Sequence, residues 1–580
     1  MPISRIPTLL ALPAMVLALA SPAAPALAQT SAELCRVATP AEAARYTTPL
    51  QSPGIVSPID GTCWIPALTI PSFDGTKLAA NLFLPKRTSS TQTFPTIVMI
   101  ASWSAPGRVE YIGQQQRLAR DGYVVASYSA RGFWLSEGLV GAAAPEDVRD
   151  VSSVIDWLQA NAPVDANNIA ASGISYGAGL SLMALAKDAR IKTAVALSGW
   201  GTMADELYAR STGNVTWGTI LSLGTVVGRP APEVNQYMQA LMDPDTPAAK
   251  IAEITAWSKV RSPSSYVDAI NARNAPVFIS KNFQDDLFTP NSSLAMFAAL
   301  TGPKKFVLNP GIHASAELTG ALLGADNYPY DQAHRWFDRW LKGVQNGVDT
   351  EPKVTMQVKF SDRRESFATW PAPELSDQTY YLGPRGALRF DLGCLCGKGD
   401  KGSISSSPNA TRGSDLIQNF WDTTATSGPI PVLSTLGETI NLPVVNSLLT
   451  VGLSTGVRYE GPALQSTKKI RGIAKLNLRV TPTQARSQVS AYLYDVDAIG
   501  TGVLITHGAA TLHWATAGQT VDLPIDFSAT AYDIPAGHHI GVVLDTADSL
   551  YASPVNPGER FGVRFEFDPV LQATLVVPTR

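Results

Sequence analysis

The stretch Ile169-Ala-Ala-Ser-Gly173-Ile-Ser175-Tyr-Gly177-Ala-Gly-Leu-Ser-Leu-Met-Ala-Leu-Ala-Lys187 changes character at its centre. Up to Gly173 its small and apolar residues read as a buried strand, and from Tyr176 its Ala/Leu-rich run reads as a helix. Gly173 and Gly177 flank the junction in a Gly-x-Ser-x-Gly pattern, which permits a sharp strand-to-helix turn that lifts the Ser175 hydroxyl out of the backbone. The pattern also occurs as Gly452-Leu-Ser454-Thr-Gly456. That copy runs into Val457-Arg-Tyr-Glu-Gly461 with no helix behind it, so Ser454 reads as a loop residue.

Outward from the turn, short buried-strand patterns alternate with helical ones from about Ile65 to Val344, the signature of a mostly parallel sheet covered on both faces. The strands are expected at Lys77 to Leu84, Thr96 to Ala101, Tyr123 to Tyr128, Asn168 to Gly173, Thr193 to Leu197, Pro276 to Ser280 and Lys305 to Leu308. Helices are expected at Tyr111 to Arg120, Glu146 to Ala160 and Tyr176 to Lys187. Polar and helical material from about Met203 to Asn271 interrupts the alternation, as a cap inserted over an active site would. After Val344 the pattern becomes period-two, as in Val354 to Phe360, Ala474 to Val480 and Val489 to Leu493, and reads as all-β. Gly397 to Ser414 reads as a surface loop within that half.

The expected fold is therefore α/β, a catalytic domain over 66–350 with a helical cap at about 203–271, followed by an all-β sandwich over 351–580. Residues 1–28 read as a signal peptide, with Arg5, an apolar run from Ile6 to Ala20 and the small-residue site Ala26-Leu27-Ala28; residues 29–65 are a connecting segment. Secretion or periplasmic export follows as an expectation. In that compartment Cys35, Cys63, Cys394 and Cys396 can form disulfides, and Cys35 with Cys63 is the preferred pair because it would pin the N-terminal segment. Cys394 and Cys396 leave free thiols or a strained ring open, and zinc is rejected because no His lies at ligand spacing.

With 45 basic and 48 acidic side chains the chain carries a formal charge of −3, which offers no field for nucleic acid. No cofactor or metal is expected. The expected partner is a small-molecule or peptide acyl substrate, with homo-oligomerisation left open and no membrane partner after signal cleavage.

A serine hydroxyl needs a base, normally a histidine oriented by a carboxylate. Of the two histidines in the α/β half, His334 lies on the amphipathic stretch Asp331 to Trp340 and reads as surface or packing. His313 follows a strand in the loop Asn309-Pro-Gly-Ile-His313 and takes the base role. His507, His513, His538 and His539 read as sheet and turn residues of the β half. Asp285 and Asp286, after the strand that begins at Pro276, are both candidates for the acid. The backbone N–H of Tyr176 is one oxyanion donor, and the second belongs to the loop after Thr96 to Ala101.

These residues, in the chain order Ser, Asp, His, resemble the X-prolyl dipeptidyl-peptidase and cocaine-esterase-like family of serine hydrolases. Asp121-Gly-Tyr-Val-Val, the turn Ser129-Ala-Arg-Gly-Phe-Trp-Leu-Ser-Glu-Gly138 and Ile155-Asp-Trp157 agree with it. So do Thr379-Tyr-Tyr-Leu382, Tyr459-Glu-Gly-Pro462 and Ile534-Pro-Ala-Gly-His538 in the second half. The resemblance implies an α/β-hydrolase domain with a C-terminal jelly roll, cleaving esters or amides through an acyl-enzyme. It favours Asp285 over Asp286, because the family places the acid after a loop of about three residues. Where family members carry a donating Tyr, this chain has Ala101-Ser-Trp103-Ser104, which leaves Trp103 either as the second oxyanion donor, by its backbone or its indole N–H, or as a packing residue beside the pocket. Ser129 replaces the family's Asp, and Arg131 reads as a brace for the turn. An ester is preferred over an Xaa-Pro peptide, since no residue identifies an acid for a peptide N-terminus. An exopeptidase and a non-catalytic secreted glycan- or polymer-binding protein are the alternatives.

Overall fold

The computed structural model describes residue 35 and residues 54–88, 91–386, 389–391, 396–398, 401–428, 437–440, 442–451 and 454–580. The expected signal peptide, Cys394 and the Gly452-Leu453 part of the second Gly-x-Ser-x-Gly copy lie outside the described residues, as does the side chain of Cys396.

The first half is built on strands β1 (Ile55–Val56), β2 (Cys63–Pro71), β3 (Lys77–Leu84), β4 (Phe94–Ile100), β5 (Val124–Tyr128), β6 (Val164–Ile174), β7 (Ile191–Leu197), β8 (Val277–Gln284), β9 (Lys304–Ile312), β10 (Val354–Gln357) and β11 (Arg364–Phe367). They form one 11-stranded sheet in the order β1-β2-β3-β5-β4-β6-β7-β8-β9-β10-β11. From β5 to β10 the pairs are parallel, and the edges are antiparallel. The central strands are apolar and buried on both faces, as a parallel sheet covered by helices requires. Pairing sets Ile100 beside Gly173, Gly173 beside Ala196 and Leu197 beside Ser280, so the strands' C-terminal ends align along one edge.

Helices α1 (Ile112–Arg120), α2 (Pro145–Asn161) and α3 (Tyr176–Lys187) follow β4, β5 and β6. Between β7 and β8 lies the cap: α4 (Met203–Leu207), α5 (Val215–Gly224), α6 (Pro232–Met242), α7 (Ala248–Lys259) and α8 (Val267–Ala272), joined by 3₁₀ turns. Asn214 starts α5 by accepting the Trp217 N–H at 3.1 Å, satisfying one of the orphan amides of a helix start. Helices α9 (Pro290–Ala299), α10 (Ser315–Leu323) and α11 (Tyr328–Lys342) complete the layer, with Gly343 at φ 73° ending α11. No helix among the described residues is long and apolar enough to cross a membrane.

The second half is an all-β jelly roll with its own apolar core, including Leu476, Leu478, Val542, Leu544 and Val577. Lys475–Pro482 alternates exposed or half-buried with buried residues along its length, as a strand with one face on the core does.

Three expected boundaries shift. Val354–Gln357 pairs in parallel with β9, and Arg364–Phe367 pairs antiparallel to it, so the α/β sheet runs past residue 350 to Phe367. The period-two alternation there comes from a hairpin at the sheet edge, which produces the same pattern as a sandwich strand. On the other side β1 and β2 start before residue 66, within the expected connecting segment. Cys63, the first residue of β2, is bonded to Cys35, as preferred from the sequence. The expected loop at Gly397 to Ser414 contains the strand Lys401–Ser405, paired with Ser376–Gly383 and Gly456–Glu460. Its Gly/Ser/Lys composition conceals an alternation in which Gly402 and Ile404 are buried.

Candidate active site

Ser175 occupies the single-residue turn between β6 and α3, at φ 55° and ψ −114°. A non-glycine residue held in that region stores strain, which here projects the side chain from the sheet edge. Both flanking glycines are demanded by space. A Cβ on Gly177 would overlap the carbonyl oxygen of Ile100, and one on Gly173 would stand 2.7 Å from the same oxygen. The backbone of α3 thus packs directly onto the end of β4.

His313 lies in the loop after β9, and the fold brings it to Ser175: its Nε2 accepts from the Ser175 hydroxyl at 2.7 Å. Its Nδ1 donates to Asp285, 2.9 Å from Oδ2 and 3.0 Å from Oδ1. The imidazole is clamped edge-to-face by Trp217 of the cap and by Phe288, at centroid distances of 5.5 and 5.3 Å. Its loop is tied to β8 by Asn282 Nδ2, which donates to Ile312 O, and by Gln284 Oε1, which accepts from Gly311 N–H.

Asp285 is fully buried and accepts the Phe288 N–H at 2.9 Å. Burial pushes its carboxyl up, but the charges of His313 and Lys281 and the hydrogen bonds from His313 and Phe288 outweigh that and hold it below its ordinary value. Asp286 faces elsewhere. Its Oδ1 meets His507 Nε2 at 3.1 Å, and its carbonyl accepts from Asn214 Nδ2 at 2.7 Å. The choice between the two carboxylates is thereby made by geometry. His507, expected as an ordinary sheet residue, instead reaches from the second half to the loop that carries the acid.

As first residue of α3, Tyr176 has no intrahelical partner for its N–H, which lies beside the nucleophile. Trp103 also borders the site, edge-on to Tyr176 at 5.5 Å, but its indole N–H donates to Leu221 O at 3.0 Å. The indole is therefore a tie to the cap, and of the two donors read from the sequence for Trp103 only the backbone N–H is left. The loop is braced by buried Glu110, which takes both the N–H and the hydroxyl of Ser102. Arg131 braces as expected, with Nε and Nη2 on the two oxygens of Asp150 and Nη1 on Asp74. His334 packs against Gln114 at 2.8 Å, away from the site. Ser454 is exposed in the turn before the strand Gly456–Glu460.

Beside Ser175 opens a cavity of about 90 Å³, walled by Trp103, Tyr176, Trp200, Leu207, Leu221 and Trp257 among others, with no charged side chain among the described residues of its lining. Most of this wall comes from α4 to α7, whose contributions the sequence did not resolve. Lys281, on β8, is the other group that sequence reasoning missed. The available signal was a lysine inside an otherwise buried strand pattern, Pro276-Val-Phe-Ile-Ser-Lys281.

The chain matches the family model for X-Pro dipeptidyl-peptidase (S15 family) over residues 74–315, and the model for the X-Pro dipeptidyl-peptidase C-terminal non-catalytic domain over 346–579. It is 23% identical to cocaine esterase from Rhodococcus sp. over 550 residues, 83% of this chain and 90% of that protein. It is 22% identical to a putative Xaa-Pro dipeptidyl-peptidase from Bacillus anthracis over 478 residues, 76% of this chain and 72% of that one. Among solved structures, a CocE/NonD family hydrolase from Staphylococcus aureus superposes with a TM-score of 0.66 at 13% identity, covering 90% of this chain and 94% of the other. An α-amino acid ester hydrolase superposes at 0.67 with 17% identity, covering 91% and 98%. These last two likenesses are of fold.

Proposed function

The chain belongs to the X-Pro dipeptidyl-peptidase and cocaine-esterase-like family of serine hydrolases, and on that premise we propose that it is an exported carboxylesterase with an apolar acyl site. In this reading Ser175 Oγ attacks the ester carbonyl while His313 Nε2 takes its proton, and Asp285 fixes the imidazole by its Nδ1–H. The oxyanion is received by the N–H of Tyr176 and the backbone N–H of Trp103. His313 returns the proton to the departing alcohol, and a water activated by the same imidazole releases the acid.

The observation that carries the ester preference is the uncharged wall beside Ser175. A dipeptidyl substrate would bring its N-terminal ammonium into the acyl site, and an unpaired buried charge costs several kcal/mol. An alkanoyl or small aromatic acyl group meets no such cost. The cavity, at about 90 Å³, is smaller than the roughly 150 Å³ known to admit benzene, which favours acyl chains of a few carbons. Export is supported by the signal-like N-terminus and by the Cys35–Cys63 disulfide, a bond that persists in oxidising compartments.

The test compares kcat/KM for p-nitrophenyl esters of increasing acyl length with that for Xaa-Pro-p-nitroanilides. The proposal expects higher efficiency on the short esters. Higher efficiency on the anilides would establish the peptidase instead.

A further inference from the structure

The side chain of Lys281, on β8, is fully buried, four residues before Asp285 in the loop that follows the strand. Its Nζ donates to Asp285 Oδ2 at 2.9 Å, to Gly199 O at 2.8 Å and to Phe288 O at 2.5 Å. Three acceptors use three N–H bonds, which only the ammonium form possesses. Asp285 Oδ2 is therefore shared by two donors, this ammonium on one side and His313 Nδ1 on the other. The ammonium also joins separate pieces of chain: Gly199 follows β7, and Phe288 supplies both a carbonyl to Lys281 and an N–H to Asp285.

We propose that Lys281 is a positioning residue for the hydrolysis, holding the Asp285 carboxylate aimed at His313 and moderating how strongly that carboxylate favours the imidazolium. The proposal rests on the triad reading above. A buried carboxylate needs an accompanying opposite charge, and the imidazole and the Phe288 N–H already hold Asp285 ionised, so a second positive charge acts on its aim and its net field. Lys281 supplies that charge without being able to accept the imidazole's proton. It also diminishes the net negative charge that the imidazole meets at its Nδ1.

The remaining charged groups around this unit come from every element that packs on it. Glu206 on α4 is buried, accepts from Thr289 and Ser292, and interacts electrostatically with both Lys281 and Asp285. Burial pushes it up to about 7, with Lys281 acting against that rise. Glu317 on α10 is buried among Ser198, Ser280 and Asn282, and burial raises its carboxyl while Lys281 again opposes. Asp286 is engaged with His507. Of these groups only Lys281 touches Asp285, and that contact distinguishes it from a general background charge.

The experiment is the pH profile of kcat/KM for Lys281→Met beside the unaltered enzyme, on a p-nitrophenyl ester that both cleave. Loss of the ammonium leaves the full carboxylate charge to stabilise the imidazolium, so the acid limb is expected to move to higher pH by about one unit, with a plateau about tenfold lower. An acid limb in the same place in a folded Lys281→Met enzyme overturns the proposal. If that variant does not fold, Asp285→Asn is compared with Asp285→Asn/Lys281→Met, in which neither charge remains. Equal residual rates support action through Asp285, and a further loss of tenfold or more in the double variant overturns it. Ser175→Ala on the same substrate separates the two readings: retained activity removes the triad itself, whereas its loss with an unmoved acid limb removes only the role of Lys281.

Discussion

Asp285 and Asp286 are consecutive in the chain, and each holds a histidine. Asp285 meets His313 Nδ1 at 2.9 Å and Asp286 meets His507 Nε2 at 3.1 Å. The two pairs part company at the far nitrogen of each ring. That of His313 meets the Ser175 hydroxyl at 2.7 Å, on a backbone bent to φ 55° beside an apolar cavity. That of His507 meets the Tyr551 hydroxyl at 3.0 Å, a phenol whose burial pushes its ionisation well above the ordinary range. A carboxylate–imidazole pair is thus not in itself a catalytic device. What it does depends on whether the third partner is a nucleophile with room for a substrate.

The sharpest way to break this contrast is to remove each third partner. Ser175→Ala should lower turnover by roughly 10⁴- to 10⁶-fold, whereas Tyr551→Phe should leave kcat within about threefold. Comparable losses in the two variants would mean that His507 takes part in the chemistry. Replacing the carboxylates comes next. Asp285→Asn should cost about 10³- to 10⁴-fold in kcat by favouring the wrong tautomer. Asp286→Asn should cost less than about tenfold in kcat but about 1–3 kcal/mol of stability, measured by denaturant unfolding, because a buried partner of His507 loses its charge.

A smaller effect follows from the buried acids outside the site. Burial pushes Glu110, Asp147 and Glu206 up to about 7 each. Their folded-state values lie above the unfolded ones, so the native protein binds more protons between about pH 4.5 and 7, and stability falls as pH rises through that window. His507, raised by Asp286 against the lowering effect of burial, acts in the same direction. Carboxyls held at about 2, such as Asp74 and Glu365, are largely ionised in both states above about pH 5.5 and contribute little slope between pH 5.5 and 8. The melting temperature should therefore be several degrees higher at pH 5.5 than at pH 8, and the reverse order would contradict these assignments.

Much of this could be read from residue order. The strand Lys77–Leu84 and the helix Tyr176–Lys187 have the expected limits, because alternation of buried runs with helical periods is strong where a parallel sheet is covered on both faces. Local context and chain order pointed to Ser175, His313 and either Asp285 or Asp286, the resemblance favoured Asp285, and the structure brings Ser175, His313 and Asp285 within hydrogen-bond distance. The pairing of Asp286 was not legible: neighbouring residues on a loop point by backbone torsion, and its partner His507 is 221 residues away in sequence. Trp103 was found as a neighbour of the site, yet its indole answers to Leu221 in the cap, where helix boundaries alone say nothing of facing. Val354 and Met356 carry a sandwich-like rhythm while pairing with β9, where Thr355 between them is buried as well, so the alternation of residue types names neither the sheet nor its open face.

The tie between His507 and the residue next to the acid has a consequence for the whole molecule. A chain cut near residue 367 would contain all eleven strands of the sheet, with serine and imidazole both present. It would nonetheless lose the distant hand that steadies the turn where Asp285 sits. What the second half lends the first, in this sense, is firmness in that turn.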